Sequence, residues 1–94
     1  MSDEFDPAAA LHEHLAATEE LPVEREAGWR LGEAQALAAE IADGGLDDAT
    51  VARRADEIRT LLAEVDGTGD PDADDRVAAA RELATRIANR SDDG

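Results

Sequence analysis

The chain has no cysteine, no lysine and no tyrosine. The absence of cysteine removes disulfides, thiol catalysis and Cys-ligated zinc. One tryptophan and one phenylalanine are the only aromatic residues, so a core must come from nine leucines, four valines and three isoleucines. No apolar run approaches the roughly 18 residues needed to cross a bilayer. Met1 to Asp6 is acidic, and no apolar signal-peptide region follows it. The densest basic group, Arg53, Arg54 and Arg59, lies among acids, whereas nucleic-acid binding needs clustered cations. These absences predict a cytoplasmic protein with neither a nucleic-acid nor a membrane partner.

What is abundant is carboxylate. There are 24 Asp and Glu residues against nine arginines, a net charge of −15. Such a chain repels itself at low ionic strength. Salt relieves this, because the Debye length falls from about 10 Å at 0.1 M to about 3 Å at 1 M. Excess carboxylate, absent lysine, 21 alanines and few aromatics together fit a cytoplasm rich in salt. The competing reading is a mesophilic acidic protein that binds a basic partner or imitates nucleic acid. Retention of arginine while lysine is absent favours salt adaptation.

Ninety-four residues make one domain with a small core. Helical periodicity predicts helices over about 7–20, 22–43, 47–66 and 71–90, with order from about 6 to 90. Asp6 with Pro7, Asp47, and Asp70 with Pro71 supply start signals; Gly44 supplies a left-handed stop. Pro22 is placed in the first turn of the second helix, and Phe5 near Ala10 as a weak staple. Arg53 and Glu57 have the spacing of an ion pair on the wet side of the third helix. Ser91 to Gly94 is expected to be disordered.

The inward faces are Ala8, Leu11, Leu15 and Thr18; Val23, Ala27, Leu31, Ala34, Leu37, Ala38 and Ile41; Val51, Ala55, Ile58, Leu62 and Val65, widened by Leu61; and Ala73, Val77, Ala80, Leu83, Ala84 and Ile87. The second helix also carries Gly28, Gly32, Ala36 and Ala39 nearly opposite its stripe. That pattern predicts a central helix packed on both sides. The fold class is all-α: an antiparallel up-down four-helix bundle, or three long helices with a shorter N-terminal helix docked across them. The spacing of the first two helices recurs in the last two at offsets of 47 and 46 residues. A duplicated hairpin explains this, and so does chance among alanine-rich helices.

No catalytic constellation is visible, and no cofactor or metal site is predicted. His12 and His14 are about 200° apart round a helix and cannot share a metal. Asp66, Asp70, Asp72, Asp74 and Asp75 lack the glycine and terminal glutamate of a calcium loop, and fit a capped helix start with solvated carboxylates. Glu40 and Asp43, with Glu20 and Glu24 upstream, resemble a fragment of the magnesium motif of all-helical nucleotide pyrophosphohydrolases. That family converges carboxylates on metal-bound phosphates; here Pro22 interrupts the first half. Trp29, with Arg25, Gly28, Arg30 and Gly32, is the surface to single out. It is either a satellite of the core, packed on the first helix or a loop, or an interface, since Trp and Arg anchor interfaces.

The stretches LHEHLAATEELPVEREAGWRLGEAQALAAEIADG and LLAEVDGTGDPDADDRVAAARELA resemble a family of small acidic haloarchaeal proteins, a domain of unknown function. The phrases LPVEREA and EVDGTGDPDAD carry the resemblance, which spans about residues 6 to 90. It implies a source and no activity. The resulting expectation is a non-enzymatic, salt-adapted helical protein acting through protein contacts, as a homodimer or with another protein. A metal-dependent nucleotide hydrolase and an acidic decoy are the alternatives.

Overall fold

Three helices begin in the same way, with an aspartate side chain accepting a backbone N–H that the helix cannot satisfy internally. Asp6 Oδ1 accepts from Ala8 N at 3.1 Å, Asp47 Oδ1 from Thr50 N at 2.8 Å, and Asp70 Oδ2 from Ala73 N at 2.9 Å. Pro7 and Pro71 follow two of these caps at the first helical position, where a missing N–H costs nothing. A computed structural model describes residues 6–65 and 67–90. Its helices are α1 (Pro7–Ala17), α2 (Arg25–Asp43), α3 (Asp48–Ala63) and α4 (Pro71–Arg90). The placements suggested for Phe5, Asp66 and Ser91 to Gly94 lie outside the described residues.

The four helices form an all-α bundle in which each packs on its sequence neighbours and α4 closes back on α1. Cross-helix pairs give the directions. Arg30, early in α2, meets Glu64 just after α3; Glu40, late in α2, meets Arg54, early in α3. Arg76, early in α4, meets His14, late in α1. Neighbours therefore run antiparallel. The core is Leu11, Leu15, Leu31, Ile58 and Leu62 set among alanines. All six residues expected to face inward from α4 are buried.

Four expectations need correction. The second helix begins at Arg25, not Pro22. α1 ends in a 3-10 turn at Thr18–Glu20, and Leu21 is extended. Glu24 then donates its N–H to the Thr68 carbonyl at 2.8 Å, so residues 21–24 run as a strap pulled out toward the α3–α4 loop. The third helix stops at Ala63 rather than residue 66; Glu64 N and Val65 N bond three residues back, tightening the last turn. Glu57 pairs with Arg54 at 3.1 Å rather than with Arg53, because Arg54 lies between α2 and α3 and reaches carboxylates on both. Finally, α2 is not central. Gly32, Ala36 and Ala39 face outward, and only Gly28 is half-covered, by the Val23 side chain. Four similar amphipathic stripes close as a ring with two neighbours each, and a glycine–alanine strip offers too little apolar area to draw in a third helix.

Candidate functional site

Among the described residues, the α3–α4 loop carries the most densely hydrogen-bonded polar cluster. Thr68 is fully buried. Its N–H donates to Asp74 Oδ1 at 2.9 Å, and its hydroxyl accepts from Asp70 N at 3.1 Å. The single hydroxyl hydrogen is shared between Asp74 Oδ1 at 2.8 Å and the Asp70 carbonyl at 2.9 Å. Gly69 sits at φ 86°, and a β-carbon there would press the Glu24 side chain at 3.3 Å. The aspartates that invited a cation reading are thus turned, at Asp70 and Asp74, onto the loop's own donors. Among the described residues no three His, Asp or Glu side chains gather as a metal-ligand set.

Two carboxyls are held below the ordinary aspartate value of 3.8: Asp74 by the N–H and then the hydroxyl of Thr68, and Asp47 chiefly by the side chain and N–H of Thr50, with help from Arg53. A depressed folded value means the unfolded chain binds protons more readily. The stabilisation is complete above pH 3.8 and lost as pH falls through the lower folded values. In ~3 M KCl, where general repulsion is screened, thermal stability should fall below about pH 4. Asp74→Asn should be less stable at pH 7 and show a shallower acid decline. An equally steep decline in the variant would remove Asp74 as a cause.

The hydrolase-like carboxylates do not come together. Glu24 precedes α2 and Glu40 lies about 24 Å further along its axis, at 1.5 Å per residue. Glu40 instead pairs with Arg54. His14 Nδ1 lies 3.1 Å from Arg76 Nη1, in the position of an acceptor.

The remaining candidate is the outer face of α2. Trp29 is 60% exposed and is the one exposed large hydrophobic side chain among the described residues. Neither α1 nor a loop covers it, so the expectation of a satellite core residue is not met. Arg30 is half-buried, with its guanidinium 5.7 Å from the centre of the Trp29 ring and an ion pair to Glu64. Arg25 and Gly32 lie on the exposed face with Trp29; Gly28, half-covered by the Val23 side chain, does not. One or two turns beyond Trp29, a groove of about 640 Å³ opens between α2 and α3. Half-buried Leu37 and Leu61 lie in it with Ala36 and Thr60, and Glu33, Glu40, Asp56 and Glu57 are its acidic members. Arg54 links Glu40 and Glu57; its Nε is 3.3 Å from Glu40 Oε1 but too poorly aligned for a hydrogen bond. Sequence reasoning missed this groove. The sequence carried no signal for it: Leu37 and its repeat counterpart Leu83 are both leucine, and only the fold leaves Leu37 half-buried while Leu83 is buried.

A family model described as a domain of unknown function (DUF8152) matches residues 7–94. The chain belongs to this family. No curated protein and no solved structure matches. The family assignment covers the strap, the Thr68 loop and the whole α2 face, and it assigns no activity to any of them. Among the described residues, no helix is long and apolar enough to cross a membrane.

Proposed function

We propose that this protein is a non-enzymatic helical module of a salt-rich, haloarchaeal cytoplasm, working through protein contacts on the outer face of α2. The observation that carries the reading is the exposure of Trp29, the bulkiest apolar side chain in the chain, beside an apolar-floored groove. Tryptophan and arginine are enriched among residues that dominate binding energy, and Arg25 and Arg30 flank Trp29. The net charge of −15 with no lysine supports the salt-adapted part. The hydrolase alternative is weakened by the separation of its four carboxylates.

Helicity followed by circular dichroism should rise steeply between ~0.1 M and ~3 M KCl, the range over which the Debye length collapses. A full helical fold at the low end overturns salt adaptation and returns the acidic-decoy reading to the front. Nucleoside triphosphates with magnesium or manganese should release neither pyrophosphate, the product of a nucleotide pyrophosphohydrolase, nor phosphate. Release that is lost in Glu40→Gln overturns the non-enzymatic reading.

A further inference from the structure

We infer that the groove between α3 and α4 is a binding site for a small phosphate-type dianion, held between the guanidinium groups of Arg59 and Arg81. The groove has a volume of about 250 Å³ and is lined by these two arginines with Asp56, Thr60, Ala63 and Thr85. Pockets for drug-sized ligands run from roughly 300 to 1,000 Å³, so this one suits a compact ion with a small organic remainder at most. A second concavity continues along α4 from Arg81 and Thr85 to Arg86. Around the two, three arginines stand against two carboxylates, Asp56 and Glu82. The whole chain has 24 carboxylates to nine arginines, and the α2–α3 groove has four to one. A negative ligand is repelled over most of such a surface, whereas here the local charge has the opposite sign.

The donors in the groove are open. Arg81 has no side-chain hydrogen-bond or ion-pair partner among the described residues. The residues three and four places from it are Val77, Ala78, Ala84 and Thr85, none of them acidic, so α4 offers it no ion pair one turn away. Across the groove, Asp56 is engaged by Arg59 Nη1 at 3.1 Å. That contact uses one of the five N–H donors of Arg59; the rest remain, with all five of Arg81. A guanidinium fork matches two oxygens on one phosphorus, and two forks facing one groove favour a dianion over a monoanion. The threonine hydroxyls are engaged on their own helices: Thr60 Oγ1 donates to the Asp56 carbonyl at 3.2 Å and Thr85 Oγ1 to the Arg81 carbonyl at 2.9 Å. They shape the walls and leave recognition to charge. Both arginines are exposed and the Asp56 carboxylate opposes an anion, so the dissociation constant is on the order of millimolar.

The test is a nitrogen–proton NMR titration with inorganic phosphate above about pH 7, where a phosphate group carries close to two charges. It uses the lowest KCl concentration that gives full helicity by circular dichroism, with ionic strength held constant throughout. The side-chain N–H signals of Arg59 and Arg81, and the backbone signals of 56–63 and 78–86, should shift along a saturating curve. Arg81→Gln should weaken binding about tenfold or more, the loss of charge-assisted hydrogen bonds, while keeping its helicity. Arg25→Gln removes another arginine without a partner among the described residues, outside the groove, and should leave binding unchanged. Asp56→Asn should tighten binding, because it removes the opposing carboxylate and frees the last donor of Arg59. Acetate, a monoanion, should bind about tenfold more weakly than phosphate. Glycerol phosphate in parallel separates two sources of the same chemistry: tighter binding than phosphate assigns the site to an ester, equal or weaker binding to the free ion, and the dianion site stands in both. Shifts that never saturate, wild-type binding by Arg81→Gln, an equal loss in Arg25→Gln, weaker binding by Asp56→Asn, or acetate as tight as phosphate overturns it.

Discussion

Thr68→Val should destabilise the protein by about 2 kcal/mol, the usual loss when a buried donor or acceptor is stranded. Valine keeps the branched shape and one methyl, and only the hydroxyl goes. Without it Asp70 N loses its acceptor and Asp74 loses one of its two donors. Thr68 itself is fully buried, whereas the Asp74 carboxylate is exposed and can turn to water, so the cost falls mainly on the stranded Asp70 N–H. The disturbance should also reach residues 21–24, because Glu24 N bonds to the carbonyl of the same threonine. For a domain of this size the midpoint of thermal unfolding should drop by roughly 10 °C. Amide exchange should accelerate at Glu24 and in the first turn of α4 before it changes in α3. Thr68→Ser separates hydrogen bonding from packing, since it keeps the hydroxyl and loses the methyl. A serine variant as unstable as the valine variant would assign the role of Thr68 to packing.

The same loop shows why parts of the fold were legible and others were not. Asp6, Asp47, Gly44 and Asp70 were readable as caps because a cap is satisfied within three residues of itself. The α4 stripe was readable because one face of a helix is one arithmetic series, and all six positions are buried. The start of α2 was not readable. Pro22 is well suited to a first turn, but the strap is set by a hydrogen bond to a carbonyl far along the chain. Thr68 looked like one polar residue in a Gly-Thr-Gly turn. Its burial follows from how Asp74 folds back over it, and no local pattern encodes that.

The candidate surface was half legible. Arg25, Trp29 and Gly32 share an exposed face, as their spacing on a helix requires. Whether another element covered Trp29 was not a local question, and the packing alternative failed only once the bundle had closed as a ring. Leu37 and Leu61 were each readable as edge positions of their stripes. Their juxtaposition in one groove depends on the register of α2 against α3, which the whole core sets.

Ile58→Ala should have the largest effect on stability, about 4 kcal/mol, near the top of the range for removing a large aliphatic from a core. Ile58 is fully buried, and the core around it is rich in alanine: Ala34, Ala38, Ala55, Ala80 and Ala84 are all at 0% exposure. The cost of such a change depends on how far the neighbours can collapse into the space. Long flexible side chains fill a cavity; an alanine has no rotamer with which to do so. A chain of this length has a total stability of roughly 5–14 kcal/mol, so one substitution removes a large share of it. The KCl concentration needed for folding should therefore move upward, because salt must offset the lost packing by relieving repulsion among the carboxylates. Chemical unfolding at fixed high KCl gives the free-energy change, and a KCl titration of helicity gives the shift. Trp29→Ala is the control. It removes a larger side chain from outside the core and should change monomer stability by no more than about 0.5 kcal/mol. If Ile58→Ala stays within about 1 kcal/mol of the parent, the bundle relaxes around the site and its alanine-lined core is not the rigid frame derived for it.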